Sequence, residues 1–192
     1  MGGGRTAEYP KSVRHFAVSA IGRDRPGIVA AVSEALLEHD GNIEDSQMTI
    51  LRGHFAIMLL VATGDGVHAD ELRWALNSIS HRFGLEAISV NEVSDIAPED
   101  EPQPSHMLTV YGTDHPGIVH AVASALAECQ VNITDLETRL LSEDDGERLY
   151  AMMIEVALPA GTSADDLDEQ LQPVREQQGV VVTIRALEQD TL

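Results

Sequence analysis

Apolar and polar residues alternate along "VRHFAVSAI" (13–21), and strand-forming residues fill the run. That pattern predicts a half-buried β-strand. Ile28, Val32, Ala35, Leu36 and His39 then recur at helical spacing, so the next element is a helix with one apolar face. "HDGN" (39–42) stops it, with Gly41 suited to the left-handed position after a helix. Two strands follow, at about 43–51 and 54–62, around a tight turn at Arg52–Gly53. Leu72, Leu76, Ile79 and Phe83 mark a second helix, and 85–93 reads as a closing strand.

The same order returns in the second half. About half of the positions from 22 to 51 meet an identical residue ninety places on, from Gly22 and Gly112 to Leu51 and Leu141. Beyond Leu51 the offset becomes ninety-five, because "SEDDGER" (142–148) replaces the shorter "RGH" (52–54). The extra residues fall between two strand-like runs, where a hairpin turn tolerates them. Ile118, Val122, Ala125 and Leu126 repeat the first helix, and Leu167, Leu171 and Val174 the second.

Strand, helix, strand, strand, helix, strand with short connections folds economically in one way. Both crossovers are right-handed, the four-stranded sheet is antiparallel, and both helices cover one face. The expected fold is therefore α+β, two ferredoxin-like βαββαβ units. The units are placed at 13–95 and 106–188, with a flexible tail at 1–12, a linker at 96–105 and a short tail at 189–192. Three prolines and three acids in "APEDEPQPS" (97–105) read as an extended, solvated linker. Each open sheet face or edge strand needs cover, which a second unit or a homo-oligomer would supply.

Charge narrows the function classes. The 192 residues carry a formal net charge of −20, and no long segment has the basic surplus that phosphates demand. Direct nucleic-acid binding and binding to an anionic membrane are both disfavoured. No apolar run is long enough to span a bilayer, and "MGGGRTAEYPKS" lacks the apolar core of a signal peptide. Cys129 stands alone, which leaves no intrachain disulfide or cysteine-rich metal site. A cytoplasmic protein is expected. No catalytic constellation, phosphate loop or cofactor pattern is discernible.

The chemistry concentrates in "DRPGIV" (24–29) and "DHPGIV" (114–119). One reading is a capped helix start: the proline in the first turn, the aspartate accepting free N–H groups. Capping does not call for Gly27 or Gly117, since glycine weakens a first turn relative to alanine. The second reading is a binding site. Free N–H groups at a helix start suit a carboxylate, an aspartate suits an ammonium, and Asn42 or Asn132 offers an amide. Within one unit the asparagine lies at the far end of the helix, so such a pocket needs a neighbouring unit.

The pattern Gly-x-Asp-x-Pro-Gly-Ile-Val, a helix, then Asn-Ile, twice over, resembles the ACT domain. Two such domains and little else resemble the glycine cleavage system transcriptional repressor group. The resemblance implies an amino-acid-sensing regulator, with glycine or another small amino acid as ligand. It also implies a protein partner such as a transcriptional activator, and no direct contact with DNA. It implies ligand contacts at Asp24, Arg25, Pro26, Gly27, Ile28, Asn42 and Ile43, and at Asp114, His115, Pro116, Gly117, Ile118, Asn132 and Ile133. Arg25 becomes His115, so the two loops need not bind one ligand. Formyltetrahydrofolate deformylase begins with a similar ACT domain, but its catalytic domain would need a couple of hundred further residues. A ligand-independent interaction module stays open as the alternative.

Other features read as structural. His115 and His120 are five apart, off a common helical face. Met48, Met58, Met152 and Met153 read as core filling. "SEDDGE" (142–147) lacks calcium-loop spacing. Phe16, Phe55, Tyr111 and Tyr150 are the aromatics that an RNA-binding sheet of this topology would need on its open face, without the basic surround.

Overall fold

The computed structural model describes residues 13–94, 102–142 and 148–188. The expected tails at 1–12 and 189–192, residues 96–101 of the expected linker and the acidic turn at 143–147 lie outside them. The chain divides into two units, Met1–Ala97 and Pro98–Leu192.

The first unit runs β1 (Val13–Arg23), α1 (Ile28–Leu37), β2 (Asn42–Leu51), β3 (His54–Gly64), α2 (Ala69–Phe83) and β4 (Leu85–Val93). The second runs β5 (His106–Thr113), α3 (Ile118–Glu128), β6 (Asn132–Ser142), β7 (Arg148–Ala157), α4 (Ala164–Gln178) and β8 (Val180–Ala186). The sheets have strand orders β2-β3-β1-β4 and β6-β7-β5-β8, with every pair antiparallel. This is the ferredoxin-like arrangement, twice.

Alternation builds each core. Phe16, Val18 and Ala20 on β1 and Phe55, Ile57, Leu59 and Val61 on β3 are buried under Ile28, Val32 and Leu36 of α1 and Leu72 and Leu76 of α2. Leu108, Met152, Ile154, Ile118, Val122, Leu167 and Leu171 repeat the scheme. Each buried large apolar side chain stabilises its unit by about 1.5–3 kcal/mol.

The methionine reading fails for three of four. Met152 is buried, but Met48, Met58 and Met153 are exposed. Met58 and Met153 point to the open sheet face, and Met153 adjoins inward-facing Met152, so parity sends them to opposite sides. Met48 lies on edge strand β2, where all ten residues are exposed. The aromatics divide too: Phe16 and Phe55 are core, whereas Tyr111 is exposed. Among the described residues no helix is long and apolar enough to cross a membrane.

Candidate functional site

Each loop is fixed by backbone hydrogen bonds before its helix begins. The Asp24 N–H donates to the Gly53 carbonyl at 2.9 Å, and the Asp114 N–H to the Arg148 carbonyl at 2.9 Å. These bonds tie the end of the first strand to the neighbouring hairpin, and they use the aspartate's backbone rather than its carboxylate.

The helices start later than expected. α1 begins at Ile28 and α3 at Ile118, so Pro26 and Pro116 precede the helices and do not open them. Gly27 and Gly117 hold the N-cap positions at φ 92° and 109°. That left-handed backbone strains any side chain at these positions and so favours glycine. The expected aspartate cap does not form: neither N-cap receives a side-chain hydrogen bond, and neither first turn contains an acid.

The other two helices differ. α4 has a capping box, in which Ser163 Oγ accepts from the Asp166 N–H at 3.1 Å and Asp166 Oδ2 accepts from the Ser163 N–H at 2.9 Å. In α2 the Glu71 carboxylate accepts from the His68 N–H at 3.4 Å. Both carry two acids in the first turn, complementing the positive helix end. The first helix of each unit thus presents an open, electropositive N-terminus beside an exposed loop, whereas the second helix fills its own.

Arg25 and His115, the one mismatch in the motif, occupy the same place. The Arg25 guanidinium lies over Gly84, its Cζ 3.4 Å from where a Cβ on that glycine would stand. His115 Nε2 lies 2.8 Å from the carbonyl oxygen of Gln178, the last residue of α4. Each loop thus docks a basic side chain on the C-terminal end of its unit's second helix, where positive charge is favoured. His115 Nδ1 also lies 3.2 Å from the Pro116 carbonyl oxygen. A neutral imidazole donates from one nitrogen only; the imidazolium donates from both.

The His115 pKa is accordingly raised, first by the hydrogen bond to Gln178 and then by that to Pro116. A raised folded-state pKa gives stability that is full below the unfolded value and lost as pH rises through the folded one. The second loop should therefore loosen on that rise, and the first should not, because arginine stays charged. Amide chemical shifts of Gly117 and Gln178 followed against pH should titrate together with His115, while Gly27 and Gly84 stay flat. His115→Arg should abolish the titration. A Gly117 signal that ignores pH would contradict the docking.

The structure brings some expected contacts together and separates others. Asp24, Arg25, Pro26 and Gly27 are exposed in one loop, as are Pro116 and Gly117, with Asp114 and His115 half-buried beside them. Ile28 and Ile118 are core side chains, so only their backbones face the loop. Asn42 is opposite Ala62, which is also opposite His15, eight residues along β1 from Arg23. That places Asn42 about 26 Å from its own loop, and Ile43 one residue nearer, at ~3.3 Å per strand residue. Asn132 likewise pairs with Ala157, beyond the start of β5. Asn42 and Ile43 instead line an open groove of about 620 Å³ with Ala30, Ser33 and Leu37 of α1.

Two ferredoxin-like units, each with a strand-to-helix loop over an uncapped helix, make up a tandem repeat of one small α+β domain. The chain belongs to the ACT domain family, whose model matches residues 14–89 and 106–185. A crystal structure of an unknown protein from Galdieria sulphuraria superimposes with a TM-score of 0.76 at 32% identity, covering 92% of this chain and 100% of that one. A UPF0237 protein of Methanopyrus kandleri is 42% identical over 76 residues, 39% of this chain and 84% of that protein. The glycine cleavage system transcriptional repressor of Escherichia coli is 25% identical over 155 residues, 80% of this chain and 79% of that one.

Proposed function

We propose that the chain is a non-enzymatic sensor of a small amino acid that passes its state to a protein partner. The carrying observation is the contrast between helices: α2 and α4 fill their own N-termini with acids, and α1 and α3 leave theirs open beside the repeated loop. A free carboxylate satisfies such N–H groups and the helix dipole together. Asp24 or Asp114 then faces the ammonium group. Asn42, Ile43, Asn132 and Ile133 lie too far along the sheet to serve their own loop, so a second copy of the chain supplies them.

The relation to the Escherichia coli repressor supports a role in transcriptional control. The formal charge of −20 supports action through a protein, such as an activator, in place of contact with DNA. Thermal-shift measurements across the common amino acids at millimolar concentration test the sensor. Ligand at a hundred times its Kd stabilises by about 2.7 kcal/mol, a readily visible shift. No shift with any of them would favour the second reading, a ligand-independent interaction module. One observation favours that reading: the positive φ at Gly27 and Gly117 accounts for both glycines by backbone conformation alone.

A further inference from the structure

The two units differ where their helices meet. In the second, Gln170 Nε2 of α4 donates to Glu128 Oε2 of α3 at 3.1 Å, a polar clasp that bridges the two helices. Under the repeat register, Glu128 corresponds to Glu38 and Gln170 to Ala75. The first unit therefore keeps the carboxylate and lacks the group that would hold it.

Among the described residues no such bridge crosses the α1/α2 groove. It has a volume of about 230 Å³, a floor of Ala31, Ala35 and Ala75, and walls that include Glu34, Glu38 and Trp74. Glu34 and Glu38 are one turn apart on α1, and among the described residues neither forms an ion pair. Trp74 is 72% exposed and is the only tryptophan in the chain. Its counterpart in the second unit is Glu169. A single exposed apolar residue is ordinary. A tryptophan beside two unpaired carboxylates over an alanine floor is a complementary surface for a guanidinium, which stacks on the ring and donates to the acids.

We infer that the α1/α2 groove of the first unit docks an arginine-bearing segment of a protein partner, with the guanidinium between Trp74 and the Glu34–Glu38 pair. Tryptophan and arginine are among the side chains most enriched at interface hot spots. The strongly acidic chain steers a basic segment toward the groove. The second unit, clasped by Gln170, takes no part. The inference rests on the proposed protein partner for its biological occupant, but it is tested separately from amino-acid sensing.

The test titrates the full chain with a short alanine-based helical peptide carrying two arginines one turn apart, and reads the fluorescence of Trp74. A saturable change is expected, weakened about tenfold in the Glu34→Gln/Glu38→Gln double variant. Glu128→Gln, a charge removed from the second unit, should leave the affinity unchanged. A twin peptide with glutamate in place of arginine should give no response. Three outcomes would overturn the inference: no saturable change, equal affinity in the double variant, or equal weakening by Glu128→Gln. The last two would mark a general attraction to the acidic chain. Failure here with an amino-acid response intact would leave the sensor standing, and the reverse result would leave the groove standing.

Discussion

Gly22→Ala should lower the melting temperature of the first unit by roughly 10 °C. A Cβ on Gly22 would stand against the Gly84 carbonyl oxygen, 2.8 Å from Leu85 Cα and 3.0 Å from the Gly84 carbonyl carbon. All three are backbone atoms at the start of β4, where the β1–β4 register shifts between Ile21 and Gly22. No rotamer change relieves the contact, so the strand itself must move. Overpacking of that kind costs about 2 kcal/mol, and a unit of this size loses ~4–8 °C for each kcal/mol. Gly112→Ala should cost less. Its Cβ would meet a movable Val180 Cγ1 at 2.9 Å and the Gly179 carbonyl oxygen at 3.2 Å. Scanning calorimetry of both variants checks the order, and an equal loss would contradict the close approach at Gly22.

Gly27→Val and Gly117→Val should each abolish ligand binding at their own loop while both units stay folded. At φ 92° and 109° a β-branched residue is a backbone outlier, costing about 1–3 kcal/mol where it persists. The loop relieves this strain by turning its peptide groups, which misaims the N–H donors at the helix start. Little else resists the change: Gly27 Cβ would meet only the Phe83 ring edge at 3.3 Å, and Gly117 Cβ only Gln178 Oε1 at 3.7 Å. Both are side-chain atoms that can give way. Calorimetric titration of each variant should therefore show one site fewer than the native chain, with a circular dichroism spectrum unchanged. Full binding by both variants would remove these loops from the site.

Much of the fold was legible because two periods dominate the chain. The alternation through Phe16, Val18 and Ala20 and the helical spacing through Leu72 and Leu76 each had one consistent reading, and the second copy repeated them. The helix start is not legible in the sequence, because Asp-x-Pro is also the signature of a capped first turn. Only the backbone reveals that Gly27 is left-handed and that the Asp24 N–H, not its carboxylate, is engaged. Hydrophobicity alone places Met58 and Met153 in the core, but strand parity does not: of the adjacent pair Met152–Met153, one must face outward.

The site was half legible. The loops stand out as a repeated motif, but the shared docking of Arg25 and His115 on the second helix is a long-range contact that a pairwise sequence comparison shows only as a mismatch. The α1/α2 groove left a fainter signal. Trp74 falls outside the Leu72, Leu76, Ile79, Phe83 stripe, and a tryptophan off the apolar face of an amphipathic helix is a place to look.

The two open helix starts are proposed to receive the carboxylate of a free amino acid. Isothermal titration calorimetry of the native chain, with each amino acid from the thermal-shift screen and with its carboxamide analogue, tests it most directly. Saturable binding of at least one small amino acid is expected, and none of its carboxamide. Equal binding of the two, or no heat from any amino acid at millimolar concentration, would contradict it.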